Sequence, residues 1–332
     1  MTLQLGIIGT NWITKMFVEA AHITGDYQLK AVYSRRMESG QTFADNFSGD
    51  IEVYTDVNDM LTSGIDVVYI ASPNSLHFIQ AAIAIRNGVH VIVEKSAVAN
   101  TNEFEQLYSL LREHPQVRFF EAARHIQQDN FKTLETCVNS MEHISGATFV
   151  YEKYSSRFDA YLAGEEPNVL SPKFAAGALA DLGVYPLYAA IKLFGLPNSQ
   201  HYFATKLRNG GDGRGVAILR YQDFDVTLIF GKGANSYLHS EVLGLRDTIL
   251  ISNIAELEEI KYNDGQGQEK VISKPGPANP MVDEAATFAR LINQPSETEA
   301  EYQDLLLLSQ RVNHVLTALR LDAGIVFPND KK

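Results

Sequence analysis

Leu3-Gln4-Leu5-Gly6-Ile7-Ile8-Gly9-Thr10-Asn11-Trp12-Ile13-Thr14 is the stretch on which the reading of the fold turns. An apolar, strand-like run meets a glycine and a short polar link. A helical pattern then continues through Phe17, Val18, Ala20 and Ala21. Strand, glycine turn and helix in this order open a dinucleotide site, whose sequence form is G-x-G-x-x-G. The first glycine makes the turn, the second lets backbone approach a pyrophosphate, and the helix N-terminus supplies N–H groups and positive potential. Aligned on Gly9, the second position is Asn11 and the third Thr14. Asparagine tolerates left-handed backbone better than most residues. The turn is therefore expected to survive, with Gly9, Thr10, Asn11, Trp12 and Ile13 against a cofactor, although an ordinary βα turn reads the same way.

Working outward, further strands are expected at 29–33, 51–54, 67–70, 89–93 and 117–120. Helix-length stretches lie between them, one through Phe43 and Phe47 and others at 76–87 and 102–114. Strands alternating with helices imply a parallel sheet covered on both faces. Runs such as Val67-Val68-Tyr69-Ile70 are continuously apolar, as doubly buried strands are. Beyond Glu121 the grammar changes. A helix at 129–141 and a strand at 146–151 precede a helical block at 178–194. Strands then follow closely at 202–207, 216–221, 226–230, 238–243 and 248–251, and helices return at 281–292 and 302–321. Asn209-Gly210-Gly211-Asp212-Gly213 and Asp264-Gly265 supply turn chemistry. The expectation is an α/β Rossmann domain with a doubly wound parallel sheet over 1–122. An α+β domain with an open, mostly antiparallel sheet for substrate binding and dimerisation is expected over 123–332.

Composition narrows the function. The 332 residues suit two domains at about 150 residues each, and need no metal or disulfide staple. Hydrophobic residues at 45% and charged residues at 20% are globular values. Lys+Arg 28 against Asp+Glu 40 leaves a net charge of −12, which argues against nucleic acid or an anionic membrane as partner. A phosphate site must therefore gather positive charge locally. The single cysteine, Cys137, cannot form an internal disulfide or a Cys-rich zinc site, and reads as an ordinary thiol. There is no H-E-x-x-H, no G-x-S-x-G elbow and no P-loop, so hydrolase and phosphotransferase chemistry lack support and no metal is expected. No basic segment precedes the first apolar run, and no apolar stretch reaches the ~18 residues of a membrane span. A soluble, cytoplasmic protein is expected.

The end of the second strand speaks to the cofactor. An NAD site usually places Asp or Glu there to hold the ribose diol. Here the chain reads Val32-Tyr33-Ser34-Arg35-Arg36, with no acid. Ser34 can bond a 2′-phosphate, and the guanidinium of Arg35 or Arg36 can pair with it through a fork of donors. NADP(H) is expected to be preferred, with NAD(H) possible. The arginines also read as two solvated side chains after a strand.

Three more motifs follow in order: Ala71-Ser72-Pro73-Asn74-Ser75-Leu76-His77, Val93-Glu94-Lys95, and Gly177-Ala178-Leu179-Ala180-Asp181-Leu182-Gly183-Val184-Tyr185. With the Gly9 turn they closely resemble the Gfo/Idh/MocA family of NAD(P)-dependent oxidoreductases, over nearly the whole chain. The resemblance implies hydride transfer between nicotinamide and a hydroxyl or carbonyl carbon of a small sugar, polyol or diol. It implies a homodimer, or dimer of dimers, paired through the second-domain sheet. It also implies that Ser72, Pro73, Asn74, His77, Glu94 and Lys95 border the cofactor. The family's E-K-P ends here in Ser96, and its D-x-G-x-H ends in Tyr185. Tyrosine in that place is similar to the dimeric dihydrodiol dehydrogenase branch. A non-catalytic NAD(P)-sensing regulator of the same fold is the alternative, disfavoured by the joint presence of Lys95 and Tyr185. A reductase of a linear pigment or an imine is a third reading.

The chemistry of the residues agrees. Lys95 follows a parallel strand at its carboxyl end, where ligands bind in open α/β sheets. An ammonium there can bond a substrate oxygen and stabilise charge as hydride moves. Asp181 and Tyr185 are four apart and share a helical face, with Pro186 implying a helix that starts near Asp181 or is kinked there. Tyr185 can exchange a proton with the substrate hydroxyl or carbonyl, with Lys95 or Asp181 tuning it, and Asp181 can alternatively hold the substrate. Lys95, Asp181 and Tyr185 are the catalytic candidates. Tyr151, Tyr154, Ser155, Ser156, Arg157 and Tyr161 form a polar, aromatic cluster, from which Tyr154 and Arg157 join those three as substrate-binding candidates. Glu121, Arg124 and His125 follow the sixth strand and could also face the cofactor, with His125 read as structural rather than catalytic.

Overall fold

In the computed structural model, which describes residues Met1–Lys331, the opening stretch forms β1 (Leu3–Ile8) and α1 (Trp12–Thr24). The alternation continues through β2 (Tyr27–Tyr33), α2 (Met37–Ala44), β3 (Glu52–Tyr54), α3 (Val57–Leu61), β4 (Val67–Ile70) and α4 (His77–Arg86). It closes with β5 (His90–Glu94), α5 (Thr101–Glu113) and β6 (Phe119–Ala122). All six strands are parallel, in the order β3-β2-β1-β4-β5-β6. This is the doubly wound order of dinucleotide-binding domains, with the reversal point between β1 and β4. Both faces are covered, so β4 is buried at every residue. On α1 the buried positions Thr14, Phe17, Val18, Ala20 and Ala21 follow helical spacing, and the ring of Phe17 stacks on Tyr69 at 3.9 Å.

The chain continues through α6 (Asp129–Ser140), β7 (Gly146–Glu152), α7 (Ser156–Leu162) and α8 (Val184–Phe194). Then come β8 (Ser199–Lys206), β9 (Asp212–Arg220), β10 (Asp225–Gly231), β11 (Ser240–Leu243), β12 (Thr248–Ile251), β13 (Ile260–Asn263) and β14 (Glu269–Val271). These eight strands form one sheet in the order β14-β13-β12-β11-β7-β10-β9-β8. Only β7 and β10 pair in parallel, and every other recorded pairing is antiparallel. The inner face carries Tyr202, Ala217, Leu219, Leu228, Phe230, Phe149 and Ile249, all buried. On the opposite face Val216, Ile218, Ile229 and Leu250 are half-exposed and Phe203 is exposed. That alternation is the signature of a sheet packed on one side only. Helices α9 (Val282–Asn293) and α10 (Glu299–Asp322) complete the chain.

Two compact units result, Met1–Arg124 with Pro277–Ser309, and His125–Gly276 with the chain from Gln310 onward. The expected second domain of 123–332 is thus corrected. Residues 277–309 belong with the first unit, and the later crossing falls inside α10. Packing gives the reason. The buried face of α9 presents Ala285, Phe288, Ala289, Leu291 and Ile292. Phe288 stacks on Phe120 of β6 at 4.6 Å. Tyr27 Oη donates to the Ala285 carbonyl at 2.8 Å, and Asn279 Nδ2 to the Met16 carbonyl at 2.9 Å. An apolar helical stripe announces burial, but not which core receives it. Among the described residues, no helix is long and apolar enough to cross a membrane.

Candidate active site

The turn after β1 is built for close approach. Gly9 has φ +105°, and a Cβ there would lie 2.6 Å from the Ala71 carbonyl oxygen at the end of β4. Only glycine fits both demands. Asn11 works differently from the sequence expectation. Its backbone is extended, at φ −93° and ψ 179°, so left-handed tolerance is not what it supplies. Instead it caps α1. Its Oδ1 accepts from Ile13 N at 3.0 Å and Thr14 N at 3.1 Å, while its Nδ2 donates to the Ala71 carbonyl at 2.9 Å. One side chain thereby satisfies two N–H groups at the helix end and ties the turn to β4. For a pyrophosphate the cradle retains the Gly9–Trp12 backbone and the positive end of α1. Trp12 stands beside it, 73% exposed.

Ser34 closes β2, its N–H donating to the Tyr54 carbonyl at 3.0 Å. Arg35 and Arg36 follow it, both exposed. The ribose end of the cradle therefore offers a hydroxyl and two guanidinium groups, with no carboxylate at the strand end. That donor set suits a 2′-phosphate.

The other half of this rim is locked by buried polar contacts. His77, fully buried, reaches the Ser96 carbonyl through Nδ1 at 2.9 Å and the Ser72 carbonyl through Nε2 at 2.8 Å. It clamps the loop after β4 to the loop after β5. Burial pushes its pKa down and the Lys95 charge adds to this, against the two carbonyls, which favour the protonated ring. The Ser72 hydroxyl donates to Gln80 Oε1 at 2.7 Å. Pro73 and Asn74 begin the short helical turn that leads into α4. Glu94 ends β5 and accepts from Tyr69 Oη at 2.5 Å. Lys95 is the next residue and is half-buried, and the Lys95–Ser96 peptide is cis. Glu121 steadies the loop beyond, accepting from Ala97 N at 2.9 Å and from the Ser309 hydroxyl.

In the second unit, Asp181 lies in a wide helical turn, Leu179–Gly183, that runs directly into α8. Tyr185 and Pro186 fall at the start of α8, which continues the wide turn without a break, so the proline that lacks an N–H stands within a continuous helical run directly after the irregular turn. Gly183 is required by proximity, since a Cβ would come within 2.9 Å of the Phe230 ring. Three residues outside the candidates read from the sequence hold this turn. Asp212, fully buried, accepts from Leu179 N and Tyr202 Oη, each at 2.6 Å. Burial pushes the Asp212 carboxyl up and the Tyr202 phenol up. Lys232, just past β10, forms an ion pair with Asp181. His125 is fully buried and bonds the Tyr185 carbonyl through Nε2 at 3.0 Å. Its sequence neighbourhood hints at it, whereas nothing local marks Lys232 or Asp212.

The aromatic cluster is largely self-engaged. Tyr154 Oη donates to Asp159 Oδ1 at 2.6 Å, a bond that raises its pKa. Tyr161 Oη accepts from Arg208 N at 3.0 Å. Ser155 caps α7 by accepting from Arg157 N at 3.2 Å, and Arg157 itself is exposed. The Tyr151 ring meets that of Tyr185 edge-on at 5.3 Å. Among the described residues, no group of three or more His, Cys, Asp or Glu side chains is placed to hold a metal ion.

Comparison with known proteins follows the same lines. The GFO_IDH_MocA family model, described as "Oxidoreductase family, NAD-binding Rossmann fold", matches residues 3–122. The chain is 38% identical over 329 residues to the uncharacterized oxidoreductase YgjR of Escherichia coli, covering 99% of this chain and 98% of that protein. It is 36% identical over 332 residues to the scyllo-inositol 2-dehydrogenase (NADP(+)) IolU of Bacillus subtilis, covering 99% of each. Among solved structures, KijD10, a 3-ketoreductase from Actinomadura kijaniata in complex with NADP and TDP-benzene, superposes with a TM-score of 0.85 at 18% identity. It covers 97% of this chain and 98% of that one, and supports the fold. These relatives give no particular support to the dihydrodiol dehydrogenase-like branch.

Proposed function

This chain belongs to the Gfo/Idh/MocA oxidoreductase family, and on that premise we propose that it is an NADP(H)-dependent dehydrogenase of small polyols or sugars. The observation that carries the reading is an ammonium, Lys95, directly after the carboxyl end of a parallel strand in a nucleotide-binding sheet. IolU, similar over its whole length, is named for scyllo-inositol and NADP(+), and a more distant relative from Haloferax volcanii for D-xylose and NADP(+). The Ser34-Arg35-Arg36 end of β2 supports the same cofactor choice.

Bound NADP(H) supplies the hydride acceptor or donor. Lys95 Nζ bonds the reacting oxygen and offsets the charge that develops there. Tyr185 Oη takes the hydroxyl proton during oxidation and returns it during reduction. Asp181 receives a substrate hydroxyl and orients the ring. Gly9, Asn11, Trp12, Ser34, Arg35 and Arg36 serve cofactor binding, and Tyr154 and Arg157 the outer edge of the substrate site. The reading extends to a cytoplasmic homodimer, paired through the half-exposed sheet face that carries Phe203, Val216, Ile218, Ile229 and Leu250.

The test is turnover of NADP+ with scyllo-inositol, D-xylose and a panel of diols, in wild type and Lys95→Met. Turnover that falls about 100-fold or more in the variant, with NADPH affinity retained, supports the assignment. Cofactor binding without turnover on any compound would favour the sensor alternative. Sedimentation as a monomer at micromolar concentration would count against the dimer.

A further inference from the structure

We propose that Lys232 is a positioning residue for the catalytic carboxylate, its buried ammonium fixing Asp181 in the orientation that receives a substrate hydroxyl. The inference rests on the function proposed above and adds a residue to it. The ion pair is lopsided, with the Lys232 side chain only 3% exposed and that of Asp181 33% exposed. The lysine is sealed beneath the site while the carboxylate opens outward. Its backbone is fixed from two sides, because Lys232 N donates to the Gly213 carbonyl at 2.8 Å and Ser155 N donates to the Lys232 carbonyl at 2.9 Å. Nζ also lies 3.5 Å from the Val169 carbonyl oxygen. The neighbouring carboxyl, Asp212, accepts from Leu179 N and Tyr202 Oη through Oδ2 and feels the Lys232 charge as well.

For stability alone this arrangement is a poor choice. Burying an ammonium against the partly exposed Asp181, with the buried Asp212 carboxyl also in its field, carries a large desolvation cost, and an apolar side chain of similar volume often serves stability as well. What the pair does supply is geometry. Asp181 sits in a wide turn rather than a regular helix. An ammonium rising from β10 sets its direction. It also favours the ionised carboxylate, which accepts from a hydroxyl donor and so prefers an alcohol-bearing substrate over one that only accepts.

The experiment compares wild type, Lys95→Met, Lys232→Met, Asp181→Asn and the Asp181→Asn/Lys232→Met pair, with scyllo-inositol and D-xylose as probes and NADP+ as cofactor. Lys232→Met is expected to raise the KM of the better probe about tenfold, lower kcat no more than about threefold, and leave NADP+ affinity unchanged. Added to Asp181→Asn, it is expected to change KM by less than about twofold, because the lysine acts through that carboxylate. A KM in Lys232→Met within twofold of wild type overturns the proposal, and so does the full tenfold factor reappearing on Asp181→Asn. Should Lys232→Met fail to fold, Lys232→Gln is measured instead, with a KM increase of about fivefold expected. Failure of both to fold assigns Lys232 to stability and also overturns it. An active Lys95→Met sinks the functional reading itself, whereas an inactive Lys95→Met beside a wild-type-like Lys232→Met sinks only this inference.

Discussion

His125 Nε2 lies 3.0 Å from the main-chain carbonyl oxygen of Tyr185, and the two rings sit 5.0 Å apart. A carbonyl only accepts, so Nε2 carries the proton. The imidazole is boxed in by the edge-on rings of Phe131 and Tyr188, and it fixes the backbone from which the phenol projects. His125→Phe keeps the packing and loses the donor. We expect it to cost about 1 kcal/mol of stability through loss of the bond to the Tyr185 carbonyl. A roughly tenfold drop in kcat with unchanged NADPH affinity should accompany it. Thermal melts and steady-state kinetics together check this, and an unaltered kcat would restrict His125 to a packing role.

Gly9 tolerates no side chain. Gly9→Ala places a Cβ 2.6 Å from a backbone oxygen and demands φ +105° of an alanine, at a cost on the order of 1–3 kcal/mol. Cofactor binding should be lost well before the fold is. Trp12, the single tryptophan of the chain, provides the readout. Its emission should be quenched by NADPH through energy transfer in the wild type and be indifferent to NADPH in Gly9→Ala.

The arginines after β2 should set cofactor choice. Arg35→Ala/Arg36→Ala is expected to raise the KM for NADPH about 10- to 100-fold, the range for a lost charge-assisted pairing, with NADH kinetics little changed. Ser34→Asp should go further by repelling the 2′-phosphate and offering the ribose diol an acceptor. Equal losses with NADPH and NADH would show that these residues do not contact the 2′-phosphate.

Glu284 predicts a pH-dependent gain in stability. It is fully buried on α9, and neither carboxylate oxygen has a hydrogen-bond partner among the described residues. Burial pushes its carboxyl well up, the charge of Glu94 adds to that, and Arg124 opposes it. The folded chain thus keeps a proton that the unfolded chain releases. This group's contribution is most favourable below the unfolded value of about 4.3 and is lost as pH rises toward the folded one. Glu284→Gln removes that dependence. Its melting temperature should exceed the wild type's near about pH 8 and the difference should vanish near about pH 4. A variant less stable than wild type at every pH would mean that the carboxylate is paired after all.

Much of the first unit was legible because its signals are local. The continuous apolar run of β4, the glycine after β1 and the basic residues after β2 act within a few positions of one another. Strand ends moved by one to several residues, and short elements went unread. Strands β13 and β14 were missed because Ile260–Asn263 and Glu269–Val271 carry few apolar residues. Asn11 was picked out correctly as part of the turn, yet for a conformation it does not adopt. A capping side chain and a left-handed one attract the same residue type.

The order of chemical groups along the chain, the class of the longer apolar elements and the acid-free end of β2 follow from sequence alone, since each depends on neighbours a few bonds away. Tertiary structure decided which core received α9, which buried carboxylate stands without a partner, and which cations and rings hold Asp181 and Tyr185. Lys232 meets Asp181 across 51 residues and His125 meets Tyr185 across 60. Pairings of that span are set by strand register and by the packing of helices on the sheet. No periodicity or spacing along the sequence encodes them.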